Sequence, residues 1–247
     1  MNHRQRLAAC ILVTKRIVKR HGREVLATGV TGSVGRGTDA QYSDIDFSVL
    51  VRNPPKLLSH RFILQGCLFS VAARTEEDWM SELTRPNHAL PLVVGSLKSM
   101  RVLYDPHGRL ERLKGIAEEI PVRCWTNAVR AGLEEMVEDL GRVRNAYLSK
   151  DMKTFRLFSP TVAMEAALVY SSSRRLAVLT ERGLLDPKTQ RYPARLASAL
   201  MTGLGEEAKA EQVLNALETL FKSVYKEASL QAATPVAYNS VSSYTPP

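Results

Sequence analysis

The chain has no long apolar run where a membrane anchor or leader would lie. Near the N-terminus the longest run, Leu7 to Val13, falls far short of the ~18 residues of a membrane span. The basic residues continue past it without giving way to a small-residue cleavage site, so neither a membrane span nor a signal peptide is read. Cysteine is scarce. Cys10, Cys67 and Cys124 are odd in number, widely spaced and match no CxxC pattern, which argues against a disulfide framework or a zinc site. A reducing, cytoplasmic location is expected, with the thiols as small apolar packing residues. His3, His21, His60, His88 and His107 show no metal-ligand spacing and read as core, cap or surface residues. Compositional bias is absent too. With 45% apolar and 24% charged residues, disorder and collagen are excluded.

What is present is a chain of 247 residues, long enough for one large domain or two modest ones. Its net charge of +9 invites a nucleic-acid reading, but the excess is local. Arg4, Arg6, Lys15, Arg16, Lys19, Arg20 and Arg23 face a single acid, Glu24, in residues 1–24. Such a stretch is more often the solvated face of a helix than a binding site. Residues 4–21 have helical periodicity, with Leu7, Cys10, Ile11, Ile17 and Val18 as the apolar stripe and Gly22 as the stop.

Val25 to Val30 reads as a short buried strand, followed by Thr31-Gly32-Ser33-Val34-Gly35-Arg36-Gly37-Thr38, a segment expected to bend tightly and expose backbone N–H groups. Asp44 to Val51 is the clearest strand, with Ile45, Phe47, Val49 and Val51 on one face and Asp44, Asp46 and Ser48 on the other. Asn53-Pro54-Pro55 ends it. Residues 62–73 read as two short strands around Gln65-Gly66, Thr75 to Asp78 as a helix N-terminus, and Arg101 to Tyr104 as a further strand. Beyond about residue 120 strand signals stop, and helices are expected over 123–148, 159–183, 193–203 and 205–228. The uncharged stretch Ser229 to Pro247 reads as a mobile tail or a docked arm. Trp79 and Trp125 are expected to pack across domain or subunit contacts, and Tyr42 either to pack or to stack on a base.

Asp44 and Asp46 stand at i and i+2 on an extended segment. There, two carboxylates can converge on one hard cation or bridge two, and magnesium suits them because it completes its shell with water and substrate phosphates. The preceding glycine turn offers amides to a phosphate, and Ser33 adds a hydroxyl. Neither a P-loop nor a dinucleotide fingerprint is present. Taken singly, an Asp-x-Asp on a strand is more often a solvated face. On the later helix, Val129, Leu133, Met136, Val137 and Leu140 form a core stripe, while Glu134, Glu138 and Arg142 fall at i, i+4 and i+8 on another face. That face can be an exposed ion-pair row, or it can carry a proton acceptor beside a phosphate-stabilising cation.

Gly32-Ser33 followed by Ser43-Asp44-Ile45-Asp46 resembles the signature of the polymerase β-type nucleotidyltransferase superfamily. The longer string from Gly29 to Asp46 is closer to the kanamycin nucleotidyltransferase (aminoglycoside 4′-O-nucleotidyltransferase) family. Further similar patches are Pro91-Leu92 with Gly95, Tyr104-Asp105, and Glu134 to Glu138 with Gly141-Arg142 and Arg144-Asn145. The resemblance implies an α+β fold: a small mixed β-sheet nucleotidyltransferase domain over residues 1–120, an all-α helical bundle over 121–228, and the tail 229–247. It implies an enzyme that moves a nucleoside monophosphate from a Mg2+-bound NTP such as ATP to a substrate hydroxyl, an aminoglycoside 4′-hydroxyl foremost, and releases pyrophosphate. Gly32, Ser33, Arg36, Thr38, Ser43 and Arg142 would bind the nucleotide, Asp44 and Asp46 the metal, and Glu134 and Glu135 the acceptor. Glu138 would be the catalytic base, and two subunits would complete each other's sites in a homodimer. Arg61 and Ser70 stand where the family carries acids that hold a polycationic antibiotic, and Val94 where it carries a histidine that meets base or substrate. A protein or RNA acceptor docked on the basic helix, or a non-catalytic partner-binding module paired with a toxin-like helical protein, are the alternative readings.

Overall fold

Strand β1 (Val25–Val30) is buried at every position and is one of the three inner strands of a five-stranded sheet. The other strands are β2 (Ile45–Val51), β3 (His60–Leu64), β4 (Cys67–Arg74) and β5 (Arg101–Tyr104), in the order β3-β4-β2-β1-β5. This computed structural model describes residues 1–53, 60–85, 87–186, 191–205 and 208–231. Of the expectations above, Pro54, Pro55 and the tail beyond Gln231 lie outside them. β2 pairs with β4 in parallel, and the remaining pairs are antiparallel. β3 and β4 close as a hairpin with Leu64 opposite Cys67, and Gln65 and Gly66 both take positive φ (51° and 74°). That is the two-residue turn whose twist matches the strands, as the Gln-Gly pair predicts. Ile45, Phe47 and Val49 point into the core, with Asp46 on the other face.

Helices are α1 (His3–His21), α2 (Gly32–Arg36), α3 (Glu76–Thr84), α4 (Leu90–Ser99), α5 (Arg109–Glu118), α6 (Val122–Leu148), α7 (Met152–Ser173), α8 (Glu181–Leu184), α9 (Ala194–Leu204) and α10 (Ala210–Gln231). The chain divides into two compact units. The first holds Met1–Arg85, Leu92–Pro121 and Ala177–Glu181; the second holds Pro86–Pro91, Val122–Leu176 and the remainder. Each half thus lends a short stretch of chain to the other's unit. Among the described residues no helix is long and apolar enough to cross a membrane.

Helix α1 corrects the expected stripe. Its buried residues are Arg6, Ala9, Cys10, Val13 and Thr14, whereas Ile11 is 47% exposed. An arginine occupies a core position because it carries an ion partner with it, described below. Helices α4 and α5 were not expected; α4 is a short apolar run whose periodicity does not separate strand from helix. Thr75 caps α3, accepting from Asp78 N–H at 3.1 Å while Asp78 accepts from Thr75 N–H at 2.8 Å, which is the reciprocal capping box. Trp79, in the first unit, is buried under the Arg74 guanidinium, 4.6 Å from the ring centroid. Trp125 is buried as well.

In the second unit α6, packed on α7, buries Val129, Leu133, Met136 and Leu140 of the expected stripe, while Val137 is half-buried. Helix α7 begins earlier and ends earlier than the expected 159–183. It starts at the Asp151 cap, which accepts from Thr154 N–H at 3.1 Å, and carries Pro160 in its interior. The Ser159 hydroxyl donates to the Phe155 carbonyl at 2.7 Å in the same turn. At its end Arg175 takes φ +54°, and the N–H groups of Leu176 and Arg175 donate to the Ser171 and Ser172 carbonyls at 2.8 and 3.0 Å. Lys150 closes α6 in the same way, with φ +59°. Both are Schellman closures made without glycine.

Candidate active site

The Gly-Ser segment is one turn of helix and not an open bend. Gly35 N–H donates to the Thr31 carbonyl at 3.0 Å and Thr38 N–H to the Ser33 carbonyl at 2.9 Å, and Gly37 (φ +73°) ends the turn. Only the first N–H groups, those of Gly32, Ser33 and Val34, precede the helical bonding pattern. Thr31 N–H donates to the Asp46 carbonyl at 2.9 Å, which ties the end of β1 to the start of β2. Gly32 takes φ +65°, and a Cβ there would stand 2.6 Å from Asp46 Oδ2. The absence of a side chain at residue 32 is therefore what lets the Asp46 carboxyl lie against this turn. Gly32→Ala is expected to lower stability by about 1–2 kcal/mol through left-handed strain alone, read by urea unfolding. An unchanged midpoint would contradict the packing of Asp46 on Gly32.

Asp44 precedes β2 by one residue and so stands outside the ladder, a correction to the strand's expected start. Its charge nevertheless acts on Asp46. The Asp46 residue is exposed, with its carboxyl Oδ2 lying against Gly32. Partial desolvation, followed by the negative charge of Asp44, holds that carboxyl above its ordinary range; Arg61 and Arg36 pull the other way. Arg61 lies on this face. It pairs with Ser70 across β3 and β4, donating from Nε to Ser70 Oγ at 3.1 Å, and Ser70 in turn pairs with Asp46. Two strand spacings put Arg61 roughly 10 Å from Asp46.

Arg36 donates to the Leu179 carbonyl at 3.1 Å, and Thr38 is exposed. Ser43 Oγ accepts from Ala40 N–H at 2.9 Å, so this hydroxyl shapes the loop. Tyr42, two residues before Asp44, is 92% exposed. Val94 is buried in the first unit and makes no surface for a base. Two adjacent carboxylates fit the demand of magnesium, which takes one or two protein carboxylates and leaves its other positions to water and phosphate. Among the described residues no group of three or more His, Cys, Asp or Glu could hold a metal by itself.

Sequence reasoning missed the residues that fix this loop. Arg6 reaches from α1 to Asp39 Oδ2 at 2.6 Å and to the Gln41 carbonyl at 2.7 Å, and His3 Nδ1 meets Asp39 Oδ1 at 2.5 Å. Burial would raise the Asp39 carboxyl, but Arg6 and His3 outweigh it and hold it below the usual range. The only signal was a charge lying within the helical stripe 6, 9, 10, 13.

In the second unit Glu134, Glu135, Glu138 and Arg142 are all exposed on α6. Arg142 donates to Glu138 and, at 2.5 Å, to Asp139 Oδ1, and its guanidinium lies 5.3 Å from the Phe158 ring centroid. Glu134 pairs with Arg130 at 3.4 Å. The i,i+4 pair of Glu138 and Arg142 therefore forms. Glu165, on α7, was not anticipated: it is a buried glutamate facing this row from beneath.

Residues 13–102 match the nucleotidyltransferase domain family. The chain is 25% identical over 230 residues to an aminoglycoside nucleotidyltransferase (4′) of Staphylococcus aureus, covering 91% of this chain and 90% of the relative. The same figures describe its similarity to an aminoglycoside nucleotidyltransferase (4′) of a Bacillus species. The crystal structure of a nucleotidyltransferase-like protein from Exiguobacterium sibiricum 255-15 shares the fold, with a TM-score of 0.56 and 14% identity over 90% of this chain and 77% of that one.

Proposed function

We propose that this nucleotidyltransferase moves a nucleoside monophosphate from a magnesium-bound NTP, ATP foremost, to the hydroxyl of a small-molecule acceptor and releases pyrophosphate. The acceptor we propose is an aminoglycoside 4′-hydroxyl, in keeping with what the similar proteins of Staphylococcus aureus and Bacillus are named for. One observation carries the reading most directly: Asp46 lies against Gly32, with Asp44 in its field, at the junction of β1, α2 and β2.

Asp44 and Asp46 would hold the metal, which when bound supplies charge stabilisation to the phosphates and orients them. The chain's own groups do the rest. Gly32 and Ser33 approach the triphosphate with backbone N–H groups and a hydroxyl, and Arg36 and Thr38 border it. Glu138 accepts the proton of the acceptor hydroxyl, and Arg142 offsets negative charge on phosphate as the bond to the leaving pyrophosphate lengthens. Glu134 and Glu135 attract a cationic acceptor. Arg61 adds positive charge on the carboxylate face, so acidic recognition rests on the α6 glutamates. A homodimer with a shared site is part of the proposal.

The test is label transfer from α-labelled ATP to kanamycin, neomycin and tobramycin, with magnesium and with EDTA. Transfer with pyrophosphate release in magnesium, abolished by EDTA, is expected. Transfer that survives EDTA would overturn the metal assignment; failure with all three acceptors in magnesium would overturn the acceptor class.

A further inference from the structure

Glu165 has no place in the chemistry just described, yet it is a carboxyl buried on α7. Only 9% of it is exposed, and its Oε2 atom has no hydrogen-bond partner. Its side chain meets that of Asp139, itself buried, in a carboxyl-to-carboxyl contact between α7 and α6. Two carboxylates cannot hydrogen-bond unless one of them holds a proton. Asp139 is also the partner that Arg142 grips at 2.5 Å while its other terminal nitrogen holds Glu138.

We propose that Glu165 is a positioning residue: its protonated carboxyl donates to Asp139, and the pair so formed fixes the Arg142 guanidinium and, through it, the Glu138 carboxylate. The inference rests on the reading that Glu138 and Arg142 act in transfer. An unpartnered buried oxygen on an ionised glutamate would be costly, whereas a neutral acid loses little by it. Burial, followed by the charges of Asp139 and Glu135, pushes the Glu165 carboxyl up to about 8, with Arg142 opposing. All of those groups belong to α6. On α10, which also packs on α7, Glu218 pairs with Arg144 and Lys222, and Glu227 with Arg174, and the other charges of that helix are Glu211 and Lys226. No ion pair runs from α9 to α7 among the described residues. Ionising Glu165 would set a second negative charge beside Asp139, draw Arg142 inward and release Glu138. Phe158, also on α7, completes the seat by facing the guanidinium.

The test compares wild type with Glu165→Gln and Glu165→Ala by two readouts: urea unfolding across about pH 5–9, and the pH profile of kcat/KM for label transfer. A folded-state carboxyl raised above its unfolded value contributes stability that is complete below the unfolded pKa and is lost as pH rises toward the folded one. Wild type should therefore lose stability relative to Glu165→Gln as pH climbs toward 8. In kcat/KM, Glu165→Gln keeps the donor to Asp139 and should hold its rate above pH 8, where wild type declines. Glu165→Ala should lose about 10- to 100-fold at every pH, the range seen when an outer partner of a working residue is removed. Parallel unfolding curves for wild type and Glu165→Gln, or a loss in Glu165→Gln as large as in Glu165→Ala, would overturn the proposal. Absence of transfer in all three proteins would overturn the enzymatic reading, and the unfolding comparison would still decide whether Glu165 holds a proton.

Discussion

Asp46→Asn is expected to end nucleotidyl transfer while leaving the protein folded. Asparagine has the shape of aspartate and fits the space beside Gly32. What it removes is the charge that would hold the metal and its triphosphate. Losing several kcal/mol of charge stabilisation, at ~1.4 kcal/mol per decade, lowers kcat/KM by roughly a thousandfold or more. The fold should not suffer. The Asp46 carboxylate is already penalised by partial desolvation and by Asp44, so neutralising it relieves the native state, and the urea midpoint should stay level or rise. Asp44→Asn should behave alike in transfer. Retained turnover in either variant would count decisively against the carboxylate pair.

The largest expected effect on stability lies in α1. Arg6→Met removes one partner of an ion pair whose side chains are 2% and 0% exposed. Breaking such a pair leaves a buried carboxylate with His3 as its remaining partner and typically costs about 3–5 kcal/mol, a large part of the ~5–15 kcal/mol that holds a domain together. It also frees the Gln41 carbonyl. The cost is in that carboxylate, so Arg6→Met combined with Asp39→Leu should recover much of the loss, which double-variant urea unfolding at neutral pH reads directly. The pH dependence follows from the direction of the Asp39 shift. A carboxyl held below its unfolded value, ~3.9, stabilises the fold above that pH and loses its contribution as pH falls through the folded value. Wild type should weaken below about pH 4, and Arg6→Met should weaken less steeply there. Equal acid sensitivity in the two proteins would refute the pairing.

The sequence made some of this legible and hid the rest for physical reasons. The alternation of Ile45, Phe47 and Val49 with Asp46, and the Gln65-Gly66 turn, announce β2 and the β3–β4 hairpin because one face must be buried and the turn must take positive φ. The long stripe on α6 announces itself for the same reason. The ends of α6 and α7 stay hidden, because Lys150 and Arg175 adopt a conformation that a sequence usually marks with glycine. Pro160 misleads in the other direction, reading as a helix start although α7 passes through it. Arg6 and Asp39 are 33 residues apart, and nothing local separates a buried arginine from the solvated ones beside it on α1. Glu165 is hidden likewise: its environment is made by another helix.

The stretch Ala177–Glu181 leaves the helical half of the sequence and belongs to the first unit. Val178 is fully buried there over Gly95, where a Cβ would stand 1.9 Å from the Val178 carbonyl oxygen, and Leu179 receives Arg36. The strand-bearing half is thus plugged by a piece of chain translated much later. Severing the gene at residue 121 would leave a notch along α4 and an unanchored Arg36 at the rim of the carboxylate turn, so the halves cannot be treated as interchangeable cassettes.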